Sequence, residues 1–209
     1  ERAINEGVSQ LVELGAIGEA RHQLTALGRE MARIPIDAKL ARMLIAAQQH
    51  GAARELLIIA SFLSIQDPRE RPADAKQAAD LAHAQFADPK SDFVAVLKLW
   101  EAHAAAHEEL TQSKLRDWCE KRFLSFLRLR EWRELHRQLL VLGDELGWSL
   151  NREAASFEAL HRALLAGLPA NIAIKDVARK DEKGQYQGTR GKRYATFPGS
   201  FVAKAPPLW

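Results

Sequence analysis

The chain has 209 residues, 47% hydrophobic and 27% charged, a balance that supports a buried core and excludes disordered or collagen-like structure. Its longest apolar stretch, Leu56 to Leu63, is interrupted by Ser61 and is less than half of the roughly 18 to 20 residues a bilayer requires, so no membrane span or membrane partner is expected. The formal net charge of +3 is unevenly spread: residues 114–137 carry eight Lys/Arg against four acids, residues 175–204 carry eight against three, and the remainder is net acidic.

In chain order, Gln23 to Leu27 followed by Gly28 reads as a short extended piece between helical stretches, like the wing of a small helical module. Pro35 and Asp37 punctuate the start of a helix through Leu40 to Ala47, and Ala52 to Leu63 forms an apolar helix ending before Asp67 and Pro68. Pro72 opens the next helix. Ser91, just beyond Pro89, is an N-cap for an amphipathic helix whose stripe is Phe93, Val96, Leu97, Trp100 and Ala104. The same spacing joins Leu115, Cys119, Phe123 and Leu127, then Leu129, Trp132, Leu135, Leu139, Leu142 and Leu146. A last stripe of Phe157, Leu160, Leu164 and Leu168 takes Asn151 as its cap. Trp100, Trp118 and Trp132 fall on these faces and are expected in the core. After Gly167 and Pro169, Asn171 to Lys175 and Arg193 to Phe197 read as strands, separated by turns at Gly184, Gly188, Gly191, Pro198 and Gly199. No internal repeat or low-complexity segment is present.

Chemistry-bearing spacings are near misses. A phosphate-gripping loop needs glycines at fixed spacing before Lys and then Ser or Thr, whereas Gly188-Thr189-Arg190-Gly191-Lys192 has Tyr186 five residues before Gly191 and Arg193 after Lys192. His103 and His107 sit one helical turn apart, but Ala104 stands where a metalloprotease places its Glu; a chance pair on one face is expected. The lone cysteine, Cys119, lies on an apolar stripe and reads as a buried structural thiol. A single cysteine and no charged-then-apolar leader suggest a reducing, cytoplasmic setting. With no dinucleotide fingerprint or nucleophile elbow, the chain is not expected to be an enzyme in itself.

A binding role remains. Arg128, Arg130 and Arg133 cluster where one helical stripe gives way to the next, with Arg137 a turn further on, and the guanidinium fork suits phosphate oxygens. Arg190, Lys192 and Arg193 stand in a glycine-rich turn beside Tyr186 and Tyr194, the mixture of cation and aromatic that suits single-stranded nucleic acid. Solvated faces would use the same residues.

Several runs resemble one family in its own order. Leu24-Thr25-Ala26-Leu27-Gly28-Arg29-Glu30-Met31-Ala32-Arg33-Ile34-Pro35, followed by Leu40 to Leu44, is similar to the end of the winged-helix module in DEAH-box RNA helicases. Ser64-Ile65-Gln66-Asp67-Pro68-Arg69-Glu70-Arg71-Pro72 and Ser91-Asp92-Phe93 resemble the helicase-associated, or ratchet, domain that follows. Phe123-Leu124-Ser125, Arg128-Leu129-Arg130-Glu131-Trp132 and His136-Arg137-Gln138-Leu139 are similar to the bacterial HrpA-type branch. Tyr186-Gln187-Gly188-Thr189-Arg190-Gly191 and Phe197-Pro198-Gly199-Ser200 resemble the opening of its oligonucleotide-binding (OB) fold.

The resemblance implies a mainly α architecture: a winged-helix remnant over 1–50, a helical ratchet-type bundle over 51–168, and a small, incomplete OB-like β segment over 169–209, too short for the full five-stranded barrel. It implies an accessory C-terminal region of an ATP-dependent 3′ to 5′ RNA helicase that grips single-stranded RNA and packs against the RecA-like motor domains of the same parent. Those domains, with their ATP and Mg²⁺, are absent from the chain, which begins at Glu1, ends at Trp209 and reads as cut from a longer protein; no cofactor of its own is expected. The site residues implied are Arg128 and Arg130 on the ratchet side, and Arg190, Lys192 and Arg193 on the OB side, with Tyr186 stacking on a base. The competing reading is a protein-interaction module that docks the motor domains or an activator without touching RNA.

Overall fold

The computed structural model describes residues 2–18, 23–175, 185–197, 199–204 and 207. The elements are α1 (Arg2–Glu13), α2 (Ala26–Met31), α3 (Ala38–His50), α4 (Ala53–Leu63), α5 (Lys76–His83), α6 (Asp92–Glu109), α7 (Gln112–Glu120), α8 (Phe126–Glu145), α9 (Phe157–Ala166), β1 (Ala173–Lys175), β2 (Gln185–Gly188) and β3 (Arg193–Ala195). The chain is mainly α: the described helices α1 to α9 are followed by a small antiparallel sheet of order β1-β2-β3. Two compact units divide it, residues 1–60 with 138–172 and residues 61–137 with 173–209.

In the first unit, Leu14, Ala16, Met31, Ile34, Ala41 and Ile45 form a buried cluster flanked by Leu11, Leu27, Leu142, Leu146 and Trp148. Thr25 starts α2: its Oγ1 accepts the Gly28 N–H at 2.9 Å and donates to the Gly15 carbonyl at 2.6 Å. A Cβ on Gly28 would stand 1.9 Å from the Ala16 carbonyl oxygen, so only glycine lets these two backbones meet. The extended reading over 23–27 is corrected here. Leu24 bridges to Ile17, but the Thr25 cap turns Ala26 and Leu27 into helix. Asp37 caps α3 through the Lys39 N–H at 2.8 Å, as its position suggested, and α3 packs along α9.

The cap of α9 is Ser156, whose Oγ accepts the Ala159 N–H, and Asn151 does other work. The Asn151 Oδ1 accepts the Arg54 N–H at 2.9 Å, and its Nδ2 donates to Glu55 Oε2 at 2.8 Å. Burial pushes the Glu55 carboxyl up, but hydrogen bonds from Asn151, the backbone, and Arg54 outweigh it and hold the group below the ordinary 4.5.

The second unit is centred on Trp132, which is completely buried. Its Nε1–H donates to Ser61 Oγ at 3.1 Å, and the rings of Phe62 and Trp100 meet it edge-on at centroid distances of 5.1 and 4.9 Å. Ser91 caps α6 as expected, accepting from the N–H groups of Phe93 and Val94. Trp100 and Trp118 are half-buried.

The stripe from Leu115 to Leu127 does not make one helix. α7 ends at Glu120, Phe123 takes a left-handed φ of 52°, and α8 starts at Phe126. The reason lies in residues 67–71. The Glu70 N–H donates to the Phe123 carbonyl at 2.8 Å, the Ser125 N–H donates to the Pro68 carbonyl at 2.8 Å, and Arg69 bridges to Leu124. His83 Nε2 lies 3.1 Å from the same Phe123 carbonyl and therefore carries the proton. These long-range bonds outweigh the local helical preference. The turn after Pro72 also delays the next helix, which starts at Lys76 rather than at the proline.

Candidate nucleic-acid interface

Every sequence-derived site residue belongs to the second unit. Arg128 and Arg130 lie two positions apart near the start of α8, a spacing that sends helical side chains to nearly opposite faces. Arg128 is half-buried, and its Nη1 donates to the Asp67 carbonyl at 3.1 Å and lies 3.9 Å from Glu70 Oε1. It ties α8 to the 67–71 strand-like segment. Arg130 is exposed and has no ion-pair partner among the described residues.

The second group stands on the β2–β3 hairpin. Gln185, Tyr186 and Gln187 pair with Ala195, Tyr194 and Arg193, and the connection is a single 3₁₀ turn over Thr189–Gly191, closed by the Gly188 N–H to the Lys192 carbonyl at 2.8 Å. Gly191 has φ 70°, a value glycine reaches without strain. This hairpin is what the glycine-rich near-motif builds: a tight turn that lifts Lys192 and Arg193 into solvent, both exposed and without a carboxylate partner among the described residues. The Arg190 side chain lies outside the described residues, as do the turn positions Gly184 and Pro198.

Tyr186 is placed otherwise than the stacking expectation required. It is 6% exposed, its hydroxyl donates to the Pro207 carbonyl at 2.7 Å, and burial raises its phenol above the usual value. In this arrangement its ring packs the sheet.

Several other arginines are engaged by carboxylates or aromatic rings of the same chain. Arg69 and Arg71 form two-bonded pairs with Asp67 and Asp80, Arg137 with Glu134, and Arg122 and Arg116 lie 4.3 and 4.7 Å from the rings of Trp118 and Phe126. Arg133 reaches the face of Trp100 at 6.0 Å. Arg130, Lys192 and Arg193 are exposed cations with no carboxylate partner among the described residues, a state that Arg33, Lys76, Lys114, Lys121 and Arg162 share; what sets Lys192 and Arg193 apart is that they stand side by side on one hairpin.

No group of three His, Cys, Asp or Glu that could hold a metal ion occurs among the described residues, and His103 is buried against Trp118 rather than presented to solvent. Burial raises the Cys119 thiol to about 11, an inert state, with Arg122 opposing only weakly. No described helix is long and apolar enough to cross a membrane.

The motifs behind the sequence resemblance meet in space. Residues 64–72 clasp 123–125, and Asp92 of the Ser-Asp-Phe run accepts from Ser200 Oγ at 2.6 Å and from the Phe201 N–H at 2.9 Å. Sequence reasoning did not single out Arg69, Arg71 or Phe197 as site residues, yet the three line one cavity with Asp80 and Phe201.

Comparison with known proteins agrees with that assembly. The winged-helix model of the helicase-associated domain (HA2) matches residues 7–36, and its ratchet-like model matches residues 37–125. Over its whole length the chain is 43% identical to the ATP-dependent RNA helicase HrpA of Escherichia coli (strain K12), and 42% identical to its homolog in Haemophilus influenzae. Over 73% of its length it is 30% identical to the pre-mRNA-splicing factor ATP-dependent RNA helicase prp22 of Schizosaccharomyces pombe, of which it covers 13%. The chain spans 16% of each bacterial relative. It belongs to the helicase-associated family of DEAH-box RNA helicases, whose winged-helix and ratchet-like domains it carries in order.

Proposed function

We propose that the chain is an accessory region of an ATP-dependent RNA helicase that helps to hold single-stranded RNA while motor domains elsewhere in the parent hydrolyse ATP, bound with Mg²⁺, and draw the strand 3′ to 5′. It has no ATPase activity of its own and works in the cytoplasm. The relatives' names and the helicase-associated match support the setting. The observation that carries the RNA grip is the tight β2–β3 hairpin, which holds Lys192 and Arg193 side by side, exposed and without a carboxylate partner among the described residues; Arg130 on α8 is exposed in the same way. These three neutralise phosphates, joined by Arg190 of the same hairpin and by the guanidinium nitrogens of Arg128 that Asp67 does not engage.

A labelled single-stranded RNA titrated against the 209-residue chain at two salt concentrations, in excess neutral carrier protein, tests this. Binding that survives the carrier and weakens with salt is expected. No binding at low salt would favour the second reading, a docking module for the motor domains or an activator. That reading draws on Leu81 and Leu127, 72% and 68% exposed on the second unit.

A further inference from the structure

A cavity of about 350 Å³ opens between the 67–84 segment and the tail at 197–201, all within the second unit. That volume is at the small end for ligand pockets, suited to a single flat group rather than a peptide. Its tail wall is fixed, because Asp92 holds both Ser200 and Phe201 by hydrogen bonds. At its mouth Phe197 is 73% exposed, a large apolar ring left in water.

The opposite wall carries two guanidinium groups locked in place. Arg69 gives its Nε and Nη2 to Asp67 at 3.0 and 2.6 Å, and Arg71 gives its Nε and Nη2 to Asp80, both at 2.7 Å. Each carboxylate uses one edge of its guanidinium and leaves Nη1 unengaged by it. The result is a pair of pre-oriented planes with donors to spare, and carboxylate oxygens beside them as acceptors. Two acids also cancel two arginines, so the hollow has no cationic excess to attract a bare phosphate. Neutral overall, aromatic at the mouth and lined with fixed donors and acceptors, it matches a flat heterocycle with hydrogen-bonding edges.

We infer that this cavity receives one unstacked nucleobase of a single-stranded RNA, stacked on Phe197 and read at its edge by Arg69 and Arg71. The inference rests on the RNA reading above and adds to it a base contact distinct from the phosphate contacts of Arg130, Lys192 and Arg193. Unstacked bases are commonly held between aromatic rings and guanidinium planes.

The test uses the 209-residue chain and anisotropy of a labelled oligoadenylate. Phe197→Ala is expected to lower affinity about tenfold, the scale of one lost base–aromatic stack, with an unchanged salt slope because no phosphate contact is removed. Ala84→Phe, which fills the hollow from its other wall, should act in the same way. Phe197 is so exposed that its truncation takes nothing from the core, and wild-type melting temperatures confirm that both variants fold. An oligomer of the same length with abasic sugars should bind the wild type and Phe197→Ala equally. Unchanged oligoadenylate affinity in Phe197→Ala would overturn the pocket alone, since the chain would still bind RNA. Failure of the wild type to bind oligoadenylate at any salt would overturn the RNA reading and the pocket with it. Displacement of the oligomer by adenosine monophosphate at concentrations below the oligomer's own would overturn the strand as the source of the base and assign the hollow to a free nucleotide.

Discussion

At the scale of single residues, Trp132 carries the most. It is fully buried, edge-packed by Phe62 and Trp100 and hydrogen-bonded to Ser61, so Trp132→Ala should cost about 3 to 5 kcal/mol in chemical unfolding. Trp132→Phe keeps an aromatic ring but loses the N–H donor and part of the buried ring volume, so its cost should fall between about 1 kcal/mol and that of Trp132→Ala. Two histidines near it predict the pH response. Burial, with Arg133 and His107 adding to it, pushes His103 down to about 4, and burial with Arg133 does the same to His136. The fold therefore favours both rings neutral while the unfolded chain protonates them near 6.5. Their contribution to stability is present above 6.5, falls as pH drops from 6.5 towards 4, and changes no further below that. The depressed Glu55 carboxyl behaves in the same direction but lower, its contribution being lost below the ordinary 4.5. Melting temperature followed from pH 7 to 3 should fall in two stages. His136→Gln should shrink the first stage and Glu55→Gln the second; a single stage insensitive to either would refute the assignment.

At the scale of elements, the clasp between 67–71 and 123–125 decides the path of the chain, and Arg128 reinforces it from α8. Arg128→Ala should therefore destabilise the second unit by about 1 kcal/mol and speed amide exchange at Glu70 and Ser125. Arg130→Ala should leave both unchanged while weakening RNA binding. The clasp also shows what the sequence could and could not disclose. The helices α3, α6 and α8, with Asp37 and Ser91 as caps, were legible because apolar spacing and cap chemistry are local, but the buried line of α6 runs through Ala95, Val96, Leu99, His103 and Ala106, and only Val96 of these stood in the stripe read from the sequence. The break at Phe123 was not, because Leu115, Cys119, Phe123 and Leu127 keep helical spacing straight through it. Its cause lies more than fifty residues away in Pro68 and Glu70. Asn151 had the chemistry of a cap and was claimed by Glu55, again a distant partner. Charge counts likewise located the basic blocks but could not separate Arg130 from Arg137, since Glu134 pairs with the latter one helical turn away. Tyr186, read beside cations in a glycine-rich turn, looked available, and only the sheet and Pro207 place it inside.

At the scale of the whole molecule, the chain is two compact units of a helicase-associated region, with a small sheet presenting a basic hairpin. On the proposed function the purified chain releases no phosphate from ATP, with or without RNA, and a rate proportional to its concentration would contradict that. The central claim is that Lys192 and Arg193 act on phosphates, and each phosphate neutralised on a single strand contributes about −0.7 to the slope of log affinity against log salt. The most direct measurement is that slope for single-stranded RNA, in the wild type and in the Lys192→Glu, Arg193→Glu variant at equal melting temperature. The account predicts a weaker affinity and a slope flatter by roughly one to two units. An unchanged slope would contradict it and leave the hairpin as a solvated face.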